Sequence, residues 1–169
     1  MKKATCVYII DSVAKDVLMA RKTRKVGIGY WFGYGGKREG DESPEECTLR
    51  ETKKETNGIE LDESQLERVA VIDFYKGETF IFGKPGFRVI FYRTFQLVDR
   101  IVDETEEMAD PTWFSIDDLP FDQMMPGDKF FIPEVLAGIP VRGWIHFSDD
   151  EKTVFDHSVD RCLPEDLVF

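Results

Sequence analysis

Apolar positions dominate residues 4–10 and return at 17–20. The intervening Asp11-Ser12 supplies the polar break that a turn requires, so the chain opens on two strands. Residues 67–75, 78–82 and 87–97 are β-branched and aromatic runs, separated by turn signals at Lys76-Gly77 and Gly83-Lys84-Pro85-Gly86. Arg88-Val89-Ile90-Phe91-Tyr92-Arg93 is nearly continuous in apolar character, the pattern of a central strand. A helix is predicted from Phe130 to Ala137, followed by a closing hairpin over 141–147 and 153–157. Two stretches fit neither period: a basic, glycine-punctuated loop from Lys22 to Gly29, leading into the aromatic run Tyr30–Tyr34, and an acidic loop over 101–110. Mixed strands with two helices predict an α/β sandwich, one domain spanning residues 1–169 without repeat, linker or low-complexity tract.

The clearest helix lies over residues 44–57. Ser43 can cap it, Pro44 suits its first turn, and Glu46 completes a capping box with Ser43. Asn57-Gly58 supplies a left-handed stop. Within these limits Glu51 and Glu55 are four residues apart and project side by side. The other face is expected to carry Leu49, flanked by Cys47, Thr48, Thr52 and Thr56, a weak apolar stripe for a helix that only packs. Paired carboxylates behind a glycine-rich turn are the ligand type that hard divalent cations take.

In this chain Gly36 is followed after five residues by Glu42, and after seven more by Arg50-Glu51, with Glu55 beyond. This spacing resembles the Nudix box, in which a glycine and a glutamate precede Arg-Glu-aliphatic-x-Glu-Glu-x-Gly-aliphatic. Thr52 replaces the aliphatic residue, Lys54 replaces the first glutamate of the Glu-Glu pair, and Gly58-Ile59 arrives one residue late. From about Ala4 to Cys162 the chain is also similar to the animal MutT homologues, oxidised-purine nucleoside triphosphatases of that family. The likeness is carried by Gly29–Lys37, Glu106-Glu107-Met108, Trp113-Phe114, Leu119-Pro120-Phe121 and Met125-Pro126-Gly127-Asp128, and by Gly143–Phe147 and Thr153–Asp156 near the end. The resemblance implies the Nudix fold, an α/β/α sandwich around a mixed β-sheet.

It also implies a metal-dependent pyrophosphohydrolase that cleaves a purine nucleoside triphosphate, oxidised or not, in nucleotide-pool sanitation. Two other readings stand beside it: a nucleotide-binding module that senses without cleaving, and a hydrolase of another nucleoside diphosphate derivative. Splitting a phosphoanhydride needs neutralised phosphate oxygens and an oriented water, and Mg2+ or Mn2+ supplies both. Glu51 and Glu55 are the leading ligands and, with Arg50, the catalytic candidates. By family analogy the carbonyl of Gly35 or Gly36 and the carboxylate of Glu107 join them. Glu55, Glu51 or Glu107 could act as base toward the water. Arg50 either orients the box carboxylates, in a bidentate pair with Glu42, or touches phosphate; orientation is preferred. Candidates for substrate contacts are Thr5, Lys22, Phe32, Tyr34, Gly35, Gly36, Lys37, Met125 and Asp128.

Three substitutions bear on specificity. Phe32 stands where the animal MutT homologues carry an asparagine that reads the purine edge. Met125 replaces a stacking tryptophan, and Gly127 replaces one of two base-binding acids, leaving Asp128. Lys54 places a positive charge beside Glu51, where it either substitutes for metal-borne charge or blocks metal entry.

Composition narrows the partners. The formal net charge of -11 opposes affinity for nucleic acid backbones, leaving a small nucleotide bound through cations. Cys6, Cys47 and Cys162 are scattered and odd in number, which predicts free thiols of a reducing compartment and not a disulfide framework or zinc site. The apolar run after Met1-Lys2-Lys3 is too short for a signal segment or membrane span. A cytoplasmic monomer is expected. Gly36-Lys37 lacks the upstream glycine and the Ser/Thr of a P-loop, and His146 and His157 are expected to be structural.

Overall fold

The computed structural model describes residues 1–169. Its strands are β1 (Lys2–Asp11), β2 (Asp16–Lys22), β3 (Trp31–Phe32), β4 (Tyr34–Lys37), β5 (Glu67–Lys76), β6 (Phe87–Thr94), β7 (Met108–Ser115), β8 (Val141–Phe147) and β9 (Val154–Arg161). They form one mixed sheet, covered by α1 (Pro44–Glu55) and α2 (Ile132–Ala137). β1 runs parallel to β6 along one edge. Its other edge pairs antiparallel with β4 over Ala4–Val7 and with β2 over Ile9–Asp11. On the far side of β6, β5 pairs antiparallel with β6 and parallel with β8.

Strands paired on both edges and covered on both faces must be apolar throughout, and β1 shows why. Cys6, Tyr8 and Ile10 point to one core with Ile132, Val135 and Leu136 of α2. Val7 and Ile9 point to a second core, where Leu18, Ile90 and Tyr92 meet Leu49 of α1. The sheet therefore lies between two helical layers, the α/β/α arrangement expected.

Four local expectations need correction. Residues 78–82 form no strand. Their aromatic content suits one, but both edges of β5 are already occupied by β6 and β8, and Gly77 and Gly83 turn the chain with φ of 93° and 83°. Phe80 instead leans on Tyr75, Trp144 and His146. The acidic loop ends early, because Met108 starts β7, which pairs with β2 across an irregularity between Met19 and Arg21. Asp110 and Pro111 disguise that strand in the sequence. The aromatic run Tyr30–Tyr34 contains β3 and the start of β4, and the strand expected to reach residue 97 stops at Thr94. His146 is buried, with Nε2 2.6 Å from the Gly77 carbonyl, and His157 stacks on Phe130, so both serve packing.

The faces of α1 also differ from expectation. Cys47, Thr48 and Thr52 are buried together with Glu51 and Glu55, not opposite them. Residues 47, 51 and 55 form a single i, i+4 row, and that row faces the sheet. The small side chains let the helix sit close to β4 while its two glutamates are held in a buried seam.

Candidate active site

The site begins with the meeting of β4 and α1. A Cβ on Gly36 would lie 2.6 Å from Cδ of Glu51, and one on Gly35 would lie 2.0 Å from the Thr5 carbonyl oxygen. Glycine at 36 lets this strand pass close to a helix carrying carboxylates, and glycine at 35 lets it lie close against β1. The Gly35 amide donates to Glu55 Oε2 at 2.9 Å. At the helix start Ser43 and Glu46 form the expected reciprocal capping box, fixing where the row begins.

Arg50 ties the box together. Its Nε and Nη2 donate to the two carboxylate oxygens of Glu42 at 2.9 and 2.7 Å, Nη2 also reaches the Lys37 carbonyl at 3.0 Å, and Nη1 bonds Glu51. This fork–fork geometry suits guanidinium and carboxylate. The hydrogen bonds from Arg50 hold the Glu42 carboxyl down at about 2.

Glu55 sits deeper, 1% exposed. Burial raises its pKa, opposed by the Lys22 ammonium 3.5 Å away and by the Gly35 amide, and reinforced by the charges of Glu51 and Glu107. Glu107, just ahead of β7, faces the same cleft. Its burial resists ionisation, but hydrogen bonds from Lys25 and Arg24 and the charge of Lys54 outweigh that and bring it to about 2. Arg24 Nη2 lies 2.7 Å from it and Lys25 Nζ 3.0 Å. Lys54 bridges the two walls, 3.6 Å from Glu51 and 3.4 Å from Glu107.

The result is a cleft of about 200 Å³ lined by Arg24, Lys54, Glu55, Thr105, Glu106 and Glu107. Its carboxylates are interleaved with ammonium and guanidinium groups, and no three His, Cys, Asp or Glu side chains are gathered into a ready metal cluster. The donor chemistry nevertheless fits a hard divalent cation. Glu51, Glu55 and Glu107 supply oxygen ligands, and the absence of a Cβ at Gly36 lets the Glu51 carboxylate lie directly against the strand. Lys54, Arg24 and Lys25 all have side chains at least half exposed, so they can withdraw. Arg24 and Lys25 were not among the sequence candidates; their signal was the basic loop facing an acidic one.

A second group of candidates lies across Lys22. Its Nζ is 6.0 Å from the centre of the Phe32 ring as well as 3.5 Å from Glu55. Phe32 covers Gly27 so closely that a Cβ there would meet the ring at 2.4 Å, with the Met125 sulfur at 3.3 Å. The Asp128 amide donates to the Met125 carbonyl at 2.9 Å. Phe32 and Met125 therefore pack together over Gly27, with Asp128 held three residues on by a backbone turn. Asp128 is buried and its Oδ2 has no hydrogen-bond partner. Burial pushes its pKa up to about 8, against a single backbone hydrogen bond.

A raised carboxyl pKa has a defined sign for stability. Asp128 is neutral below its unfolded value and costs nothing there. Stability is then lost as pH rises from the ordinary carboxylate range to about 8, because the folded state resists giving up the proton. Asp128→Asn should flatten this trend, gaining melting temperature relative to wild type at pH 8 but not at pH 4. Parallel melting curves across that range would check it; equal slopes would show that Asp128 is hydrated.

Three sequence candidates lie outside both places. Thr5 is buried and its hydroxyl donates to Cys47 Sγ at 3.5 Å beneath α1. Tyr34 is fully buried in the core under the same helix, with its hydroxyl unpartnered. Neither side chain lines the acidic cleft: Thr5 on β1 and Tyr34 on β4 both point inward. Lys37 lines a different cleft, with Lys2, Lys3 and Arg38.

Comparison with known proteins agrees with this geometry. The NUDIX domain matches residues 1–135. The chain is 32% identical over 143 residues to the oxidized purine nucleoside triphosphate hydrolase of Mus musculus, covering 85% of each chain. It is 33% identical over 152 residues to the protein of the same name from Danio rerio, covering 89% of each. Its fold is similar to that of a MutT protein from Bacillus halodurans, with a TM-score of 0.71 at 21% identity over 95% of this chain and 98% of that one. With the glycine strand, the capped helix and the Arg50-centred carboxylates in the arrangement that the spacing demanded, this chain belongs to the Nudix family, as a pyrophosphohydrolase.

Proposed function

We propose that the protein hydrolyses a purine nucleoside triphosphate, oxidised or not, to the monophosphate and pyrophosphate, using Mg2+ or Mn2+, as a cytoplasmic monomer. The observation that carries this reading is the position of Lys22, whose ammonium is 3.5 Å from Glu55 of the acidic cleft and 6.0 Å from the centre of the Phe32 ring. A nucleotide lying along that line puts its phosphates at the carboxylates and its base against Phe32. The printed names of the mouse and zebrafish relatives favour the same substrate class.

Glu51, Glu55 and Glu107, with the carbonyl of Gly35 or Gly36, would hold the cation. When bound it neutralises phosphate oxygens and acidifies water. Arg50 holds Glu51 and Glu42 in place. Lys22 offsets charge between phosphate and base. Burial and acidic neighbours make Glu55 a readier proton acceptor than an exposed glutamate. Of Phe32, Met125 and Asp128, only Asp128 can discriminate by hydrogen bonding; apolar contacts discriminate weakly.

A phosphate-release screen over nucleoside triphosphates and nucleoside diphosphate derivatives, with Mg2+ or Mn2+, tests the proposal. Turnover of a purine triphosphate to the monophosphate is expected. Tight binding by thermal shift without turnover would identify a sensing module instead, and cleavage confined to a nucleoside diphosphate derivative would move the substrate class. Phe32→Asn puts a hydrogen-bonding side chain where the base is proposed to lie and should change the ratio of kcat/KM for an oxidised to an unmodified purine triphosphate by about tenfold or more. An unchanged ratio would place the base elsewhere.

A further inference from the structure

The chain carries 33 acidic against 22 basic residues, and most of its lysines and arginines around the site are paired. One place breaks that rule. Lys2, Lys3, Lys37 and Arg38 line a cleft of about 270 Å³ at the ends of β1 and β4, and no carboxylate pairs with any of them. Glu42, whose carbonyl accepts from Arg38, has both carboxylate oxygens held by Arg50. Glu39 leans to Arg50 as well, at 3.9 Å.

Four like charges in one cleft repel each other, and in a protein of net charge -11 acidic partners were abundant. Lys2 and Lys37 are instead steadied by an aromatic ring: their ammonium groups lie 5.4 and 5.6 Å from the centre of Phe87 on β6. Arg38 is anchored through its Nε to the Glu42 carbonyl and through its amide to the Lys3 carbonyl at 2.9 Å. The left-handed turn at Gly40, with φ of 52°, completes the rim. The cations are thus positioned without being neutralised, which favours a small anion of high charge density.

We propose that this cleft is a second anion site, separate from the acidic cleft, which binds an oligophosphate such as pyrophosphate without a bridging metal. It meets the active site through Lys37, whose carbonyl accepts from the Arg50 fork that also holds Glu51. The same chemistry could be presented by a free oligophosphate or by the phosphate tail of a nucleotide.

The test titrates 15N-labelled protein with pyrophosphate in EDTA, so that metal-dependent binding at the carboxylates is removed. Backbone shifts at Lys3, Lys37, Arg38, Gly40 and Phe87 are expected. Lys2→Ala/Lys37→Ala, its fold checked by its melting temperature, should weaken the binding at least tenfold. A parallel titration with a nonhydrolysable nucleoside triphosphate analogue separates the two sources: the analogue binding more tightly at the same amides assigns the site to a nucleotide tail, equal or weaker binding to free oligophosphate. Shifts confined to Glu51, Glu55 and Glu107, shifts scattered over all surface lysines, or undiminished affinity in the double variant would each overturn the proposal. None of these readouts depends on turnover, so they remain decisive if the proposed substrate is wrong.

Discussion

Glu51→Gln and Glu55→Gln should each lower kcat by a factor of about one hundred or more, a barrier increase of about 3 kcal/mol. The substitutions keep the shape of each side chain and remove its charge, so the fold has no reason to fail. At Glu55 the glutamine carbonyl can still accept from the Gly35 amide. What disappears is a negative oxygen ligand and proton acceptor in a buried seam, where charge is weakly screened. At Glu51 the loss reaches further, since Arg50 and Lys54 both contact that carboxylate. Glu107→Ala should cost less, because water can replace a ligand that stands apart from the helix row. Steady-state kinetics beside melting curves would check all three; wild-type rates in both helix variants would move the reaction away from the box.

Much of this arrangement was legible in the chain because it is local. Ser43, Pro44 and Glu46 start a helix by rules that involve only neighbouring residues, and the structure shows the capping box. The spacing from Gly36 to Glu55 is local too. What escaped depended on contacts distant in sequence. Nothing in Phe80-Ile81-Phe82 reveals that both edges of β5 are taken. Nothing in Tyr34 reveals that β4 turns it under α1 instead of toward a substrate. The threonines and Cys47 looked like a poor apolar face because the expected packing surface was large and aliphatic, whereas this helix packs closely through small side chains beside a glycine strand. The pairing of Arg24 and Lys25 with Glu107 crosses more than eighty residues and had no signature beyond opposite loop charge.

Lys54→Glu should raise turnover and sharpen its dependence on Mg2+ concentration, whereas Lys54→Ala should give a smaller rise. Lys54 contacts Glu51 at 3.6 Å and Glu107 at 3.4 Å, so it occupies the space between two carboxylates that would otherwise serve a cation. Its burial opposes its charge, but the charges of Glu51 and Glu107 outweigh that and raise its pKa, which keeps it protonated at neutral pH. A divalent ion must therefore displace an ammonium group before it can use both oxygens. The lysine is half exposed, its partners are screened by water, and the pair is correspondingly weak. Displacement is thus a tax on metal affinity and not a complete block, and wild-type enzyme should work at elevated Mg2+. A glutamate at this position removes the competitor and adds an oxygen ligand, so the apparent Mg2+ constant should fall together with the rise in kcat. The opposite sign, with Lys54→Ala and Lys54→Glu both losing activity, would mean that the ammonium neutralises substrate phosphate in place of a second cation. Magnesium titrations of the three proteins at saturating substrate separate the two accounts. Identical curves would place Lys54 in solvent during turnover, with its contacts to Glu51 and Glu107 broken.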